Sequence, residues 1–273
     1  VLQTLGLPAG QFLNTIGSFN SLGIAAGLLL AMSLSPNLFQ ESLFGRLRLP
    51  VVILSLFILM IFNWWVLWLV AAAGAAAAFF SGPTADWRLG DYLRPVAVIV
   101  LGAVFIVSGF NLAGLLGTSL PIEISPSFRT SYQIAKNTLA ENPFFGVGPE
   151  NFQLAYDRYR PQSINDTIFW NVRFSEASSE IFTSAVSWGI VGLAAFFVLI
   201  WMGLKHSFHD RALLPLFAVI IAAWVLYPFN LVFGFAFWLL LVLSALSSFR
   251  HDDELAVNLD GAPRFSMAAS VSF

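Results

Sequence analysis

The stretch PVVILSLFILMIFNWWVLWLVAAAGAAAAFF, from Pro50 to Phe80, decides the fold. It is an almost unbroken apolar run of about 30 residues, whereas a helix crossing a ~30 Å hydrocarbon core needs about 20. One span would leave apolar turns outside that core, and two spans would both be short. Asn63 stands in the middle, followed by Trp64 and Trp65. A polar amide beside paired indoles suits a turn at a membrane interface, the depth Trp prefers. The stretch therefore predicts two helices joined near Asn63.

Outward from it, Ile16–Leu34, Arg94–Leu116, Glu180–Leu204, Ala212–Tyr227 and Leu231–Phe249 read as five further spans. The cations support the split. With about seven spans, Arg46, Arg48, Arg88, Arg94, Lys205, Arg211, Arg250 and Arg264 fall on one side, in short loops or the tail. That side is assigned as cytoplasmic, because short-loop Lys and Arg set orientation. Arg129, Lys136, Arg158, Arg160 and Arg173 fall on the other side, all in one long loop. Such loops translocate largely regardless of charge. A single helix over Pro50–Phe80 would move Arg46 and Arg48 to the outside.

Composition agrees. Of 273 residues, 58% are hydrophobic and 10% charged, the net charge is −2 and there is no cysteine. A soluble domain carries roughly 25% charged residues. These values exclude a soluble globular enzyme, a disordered chain, a disulfide scaffold and a nucleic-acid binder with a basic face. The expected class is all-α, a polytopic transmembrane helical bundle. Residues 1–116 carry four spans, 117–179 an extracytoplasmic loop, 180–249 three spans and 250–273 a cytoplasmic tail. His206-x-x-His209-Asp210 has suggestive spacing, but metal sites need three or four ligands, so no metal is expected.

Twelve charged residues lie between Gly117 and Glu180, which makes the loop the place to look for chemistry. Ser125 as N-cap and Pro126 at the first helical position predict a helix running to about Asn142, before Pro143. Phe128, Tyr132, Ala135 and Leu139 share one face of it, and Arg129, Gln133 and Lys136 a neighbouring one. The reading is an amphipathic helix on the outer membrane surface. Its cationic stripe suits either an anion, by guanidinium forks and a lysine point charge, or plain solvation. Two Gly and two Pro in Asn142–Phe152 make a tight turn. Glu176 and Glu180, four apart at the start of a membrane helix, share a face. They suit a general base of raised pKa or simple complementation of the helix dipole. Glu150 is a third carboxylate in the same loop. Asn20 at the first span's outer end suits either a sugar contact or a bridge between helices, and Ala71–Ala78 with Gly74 a close helix-packing face.

Arg129-x-x-Tyr132 followed by ENPFFGVGPENF, Glu141 to Phe152, resembles the outer loop of the O-antigen ligase and O-antigen polymerase superfamily. Ser178-Ser179-Glu180-Ile181-Phe182, with Trp188-Gly189-Ile190-Val191-Gly192-Leu193, is similar to that family's next span. Ile16-Gly17-Ser18-Phe19-Asn20 resembles the motif opening an earlier one. The likeness covers most of Thr15 to Tyr227.

The resemblance implies a GT-C-type bundle of about twelve spans, three of them after the large loop, so about five N-terminal spans are expected to be missing ahead of Val1. It implies transfer of a glycan from a polyprenyl-diphosphate carrier to a lipid or glycan acceptor at the outer face of the bacterial cytoplasmic membrane, without cofactor or nucleic acid. The alternatives are an O-antigen-type polymerase, or a catalytically silent lipid-binding relative or transporter. Arg129 matches the family's loop arginine and would clamp pyrophosphate. Lys136 would assist, and Arg158, Arg160 and Arg173 are further substrate-binding candidates. Ser178 stands where the family's ligases carry a His. The replacement base would then be Glu180 or Glu176, with Asn20 on the glycan.

Overall fold

Asn63 does break the long apolar stretch. A computed structural model describes residues 16, 18–35, 43–81, 89–110, 112–115, 117, 120, 123–207 and 211–256, without the side chains of 43, 44, 206 and 247–256. Among them, α2 runs over Leu43–Phe62 and α3 over Trp65–Ser81. Asn63 adopts a positive φ of 35°, a conformation that Asn tolerates because its short amide bonds locally. Its Nδ2 donates to the Phe110 carbonyl, and its Oδ1 accepts from Trp68 Nε1 at 2.8 Å. Trp68 is 1% exposed, so this turn satisfies an indole N–H that has no access to water. Asn63→Ala removes both bonds and leaves that N–H unpaired. The expected cost is about 2–3 kcal/mol, read as a lower thermal midpoint in detergent, with Asn63→Asp retaining the acceptor and part of the stability.

The other elements are α1 (Phe19–Leu34), α4 (Leu89–Ser108), α5 (Leu112–Leu115), α6 (Phe128–Glu141), α7 (Phe152–Tyr159), α8 (Glu180–Ser207), α9 (Leu214–Leu226) and α10 (Leu231–Ala256). A short 3-10 turn spans Gln162–Asp166. No strand occurs among the described residues, so the chain is all-α there. Pro50, expected to open the first half of the stretch, lies inside α2. The helix reaches back to Leu43, and its first turns are tied to α1 by Arg48 Nε, which donates to Ser33 O at 2.7 Å.

Seven of these helices are apolar and alternate in direction, as their end-to-end contacts require. The start of α1 meets the end of α9 through Ser18 and Tyr227, while the end of α1 meets the start of α9 through Ser35 and Ala212. By length and composition, α2, α4 and α8 are long and apolar enough to cross a membrane, and α1, α3, α9 and the apolar part of α10 are shorter. Exposed Leu49, Ile53, Val104, Trp201 and Phe235 give α2, α4, α8 and α10 apolar outer faces, which suits hydrocarbon rather than water.

The middle of the bundle is α3, packed on α1, α4 and α9. Close approach is possible because Gly74 meets Ala31 and Val219 where any side chain would collide. The alanine run therefore is a packing face, as small residues provide in membranes. A second, smaller core joins Ile134, Phe152, Tyr156 and Ala177 of the loop segment to Ala185 and Val186 of α8. The loop core thus runs across the expected boundary at 179/180.

Candidate functional site

The helix ends nearest the loop converge on one polar side chain that sequence reasoning missed. The residue before a proline avoids the helical region, and Tyr227, before Pro228, ends α9 in an extended conformation with φ −143°. Its ring turns back over α1, where its hydroxyl lies 2.9 Å from Ser18 Oγ. That hydroxyl donates to Glu123 Oε1 at 2.6 Å, and Asn20 Nδ2 donates to Glu123 Oε2 at 2.7 Å. Asn230, at the head of α10, donates to Ser21 Oγ at 3.0 Å and so ties the same corner of α1. A phenol donates and an ionised carboxylate only accepts, so Tyr227 is the proton donor in this pair.

Glu123 lines a cavity of about 640 Å³ between these helix ends and the loop segment. The walls are aromatic: Phe19 and Phe62 come from α1 and α2, Trp64 from the α2–α3 turn, and Phe169 and Phe174 from the loop. Trp64 meets the Tyr227 ring edge-on at 5.8 Å. No other Asp, Glu, Lys or Arg lines this cavity among the described residues. One carboxylate with both oxygens held, set among aromatic faces, is the pattern of a site for an amphiphilic or hydroxyl-rich ligand.

A signal for Glu123 was present. It is the only charged residue between Arg94 and Arg129, flanked by Ile122 and Ile124 and set between Pro121 and Pro126. A lone acid in an apolar, proline-bounded segment has few partners nearby in sequence, and the two that Glu123 has come from elsewhere in the fold.

Asn20 is the candidate that the cavity includes. Glu176, Glu180 and the five basic candidates do not line it. Glu176 precedes α8 and is not on it, so the two carboxylates do not share a helix face. The helix starts at Glu180, whose N–H bonds the Tyr227 carbonyl at 3.0 Å. The Glu180 carboxylate accepts from Ser184 Oγ one turn on, at 2.8 Å. Burial, with the nearby Glu123 carboxylate, pushes Glu176 above the usual carboxylate range.

The loop helix α6 also departs from expectation. Its N-cap is Ser127, whose hydroxyl accepts from the Thr130 N–H at 3.1 Å, and not Ser125. Pro126 lies outside the helix, in the cavity wall. The buried face is Thr130, Ser131, Ile134, Ala135 and Thr138, while Phe128 and Tyr132 are 37% and 59% exposed. The reason is that α6 packs on α8, where small side chains permit close approach, and Ser131 Oγ accepts from the Ser178 N–H at 2.9 Å. Arg129 and Lys136 are exposed and form no ion pair among the described residues. By contrast, Arg158 pairs with Glu141 at 2.8 Å, Arg173 lies 3.8 Å from Asp157, and Arg160 donates to Trp170 O at 2.7 Å. Of the five cations, Arg129 and Lys136 are therefore the two not already engaged by protein groups. His209, Asp210 and the side chain of His206 lie outside the described residues.

The turn after α6 is joined to α8 by an exchange of backbone bonds. Gly189 breaks α8 with φ 64° and ψ −160°. The carbonyls of Val186 and Ser187 accept from Val147 and Gly148 at 2.9 and 3.0 Å, in place of amides one turn on. The freed amides of Ile190 and Val191 donate to the Pro143 and Phe144 carbonyls at 2.9 and 3.2 Å. The run 143–148 thus supplies the backbone partners that α8 lacks at its Gly189 break. This fixes the position of α6 and of the loop wall of the cavity relative to the bundle. No protein-family model, curated protein or solved structure matches the chain.

Proposed function

We propose that this chain is a membrane glycosyltransferase of about seven spans in the stretch seen, with its loop on the outer face of the bacterial cytoplasmic membrane. It moves a glycan from a polyprenyl-diphosphate carrier to a hydroxyl of a lipid or glycan acceptor. The observation that carries the reading is the Glu123 carboxylate, exposed on the wall of an aromatic-lined cavity at the loop end of the bundle and held there by Tyr227 and Asn20. The resemblance of the loop motifs to the O-antigen ligase and polymerase superfamily points the same way, and the grouping of Arg46, Arg48, Arg94 and Arg211 away from the loop agrees with the orientation.

In this reading the acceptor hydroxyl attacks the anomeric carbon, and the carbon–oxygen bond to the diphosphate breaks. The leaving polyprenyl diphosphate takes the bonding pair, and Glu123 takes the hydroxyl proton. A diphosphate is a weakly basic leaving group, so its departure needs mainly cations. Arg129 and Lys136 lie on α6 outside the Glu123 cavity, without ion pairs among the described residues, and in this reading they meet the diphosphate end of the carrier beyond the cavity wall. A polymerase performs the same step and differs in acceptor. A catalytically silent lipid-binding relative is the second reading, favoured by the short, buried Ser178 in place of the ligases' His.

The test uses the full-length protein in liposomes with a synthetic polyprenyl-diphosphate glycan and a hydroxyl acceptor. Wild type is expected to form product, and Arg129→Ala to lower the rate by about 100-fold, as loss of one transition-state charge contact does. Full activity in Arg129→Ala rejects its role. Absence of product from well-inserted wild-type protein, with the donor still bound, favours the silent relative.

A further inference from the structure

At the end of the bundle remote from Glu123 lies a second cavity, of about 390 Å³. Helices α2 and α4 flank it: α2 packs on α1 and α4 on α3, leaving a cleft between them with α1 as floor. Each flanking helix enters it with an arginine and continues with apolar side chains on the same face. On α2 these are Arg48, Val52 and Leu56, at spacings of four. On α4 they are Arg94, Val98 and Leu101, at spacings of four and three. From Arg48 to Leu56 the face is about 12 Å long at 1.5 Å per residue.

Nε of Arg48 donates to Ser33 O at 2.7 Å, which aims the guanidinium and leaves its terminal nitrogens. One terminal nitrogen of Arg94 pairs with Asp91 at 3.1 Å, and its side chain is 52% exposed. Among the described residues two guanidiniums therefore face one carboxylate, so the described part of the mouth carries a net positive charge. A positive mouth over a narrow apolar trough, opening sideways between two of the most lipid-exposed helices, complements a molecule with a phosphate head and a hydrocarbon chain.

We propose that the Arg48–Arg94 cleft binds one anionic glycerophospholipid, phosphate between the guanidiniums and an acyl chain along Val52, Leu56, Val98 and Leu101. The site rests on the membrane reading of these helices and not on glycan transfer. Bound there, the lipid bridges α2 to α4, which pack mainly on α1 and α3 respectively.

The experiment measures thermal midpoints and retained lipid by native mass spectrometry, for full-length protein in detergent titrated with phosphatidylglycerol, phosphatidylcholine or inorganic phosphate. Phosphatidylglycerol is expected to raise the midpoint and to remain bound, at several-fold lower concentration than phosphatidylcholine. Arg94→Gln should weaken that preference about fivefold, the effect of one juxtamembrane cation. Val52→Trp, which fills the trough without touching charge, should remove the retained lipid. Equal response to the two lipids, an equal effect of inorganic phosphate, or full retention by Val52→Trp would each overturn the proposal. Glycan transfer is read at the other end of the bundle, so its failure leaves these outcomes unchanged, and theirs leaves it unchanged.

Discussion

Gly189→Ala is expected to leave little protein that runs as a single species on size-exclusion chromatography in detergent. Two costs combine. Alanine at φ 64° and ψ −160°, a region populated essentially by glycine alone, costs roughly 1–3 kcal/mol in backbone sterics. The added methyl would also lie 2.5 Å from the Phe144 carbonyl oxygen, a backbone atom that cannot swing aside. Relieving that contact withdraws the 143–148 run from α8. The amides of Ile190 and Val191 and the carbonyls of Val186 and Ser187 then lose their partners near the head of an apolar helix, where water does not replace them. The sum exceeds about 4 kcal/mol, the range of the most damaging single changes. Gly146→Ala meets the same lock from the other side, at φ 62° against the Val186 carbonyl. The two variants should fail alike, and Gly90→Ala, with open space at its Cβ and at ordinary φ, should be milder. A Gly189→Ala protein with wild-type elution and midpoint would show that the exchanged bonds contribute little.

In the proposed glycan transfer, Glu123→Gln should lower turnover by 100-fold or more, the usual worth of a positioned general base. Glutamine keeps the volume. Its carbonyl still accepts from Tyr227, but its amide cannot take a proton. Its NH2 also meets the Asn20 NH2, unless one amide turns over. Donor binding should therefore stay within a few-fold while turnover collapses, a split that a folding defect does not produce. Tyr227→Phe removes one of the two bonds that orient the carboxylate and should cost nearer tenfold. Turnover of Glu123→Gln within threefold of wild type would remove the carboxylate from the mechanism.

The helical plan was legible because hydrocarbon imposes length and polarity on whole segments. Asn63 was readable as a turn from its place in the apolar run, and the structure adds only that Trp68 and Phe110 are its partners. The start of α6 and its buried face were misread because both Ser125 and Ser127 are good caps, and the choice between them depends on contacts with α8. Glu176 and Glu180 looked like one helical face because nothing local forbids helix at Ala177. What stops it is a bond from the Glu180 amide to Tyr227, 47 residues later. The two glycine motifs were each visible, yet their exchange of backbone bonds is a property of the pair. Glu123 was passed over for the same reason, since its partners Asn20 and Tyr227 lie 103 and 104 residues away.

The convergence of Ser18, Glu123 and Tyr227 also bears on synthesis. A chain inserted from its N-terminus sets α1 first, then Glu123, and Tyr227 only once α9 is complete. Until then the carboxylate has Asn20 alone and the cavity lacks a wall. A chain that stops short of α9 therefore lacks the Tyr227 bond to Glu123 and the part of the cavity wall that Tyr227 forms.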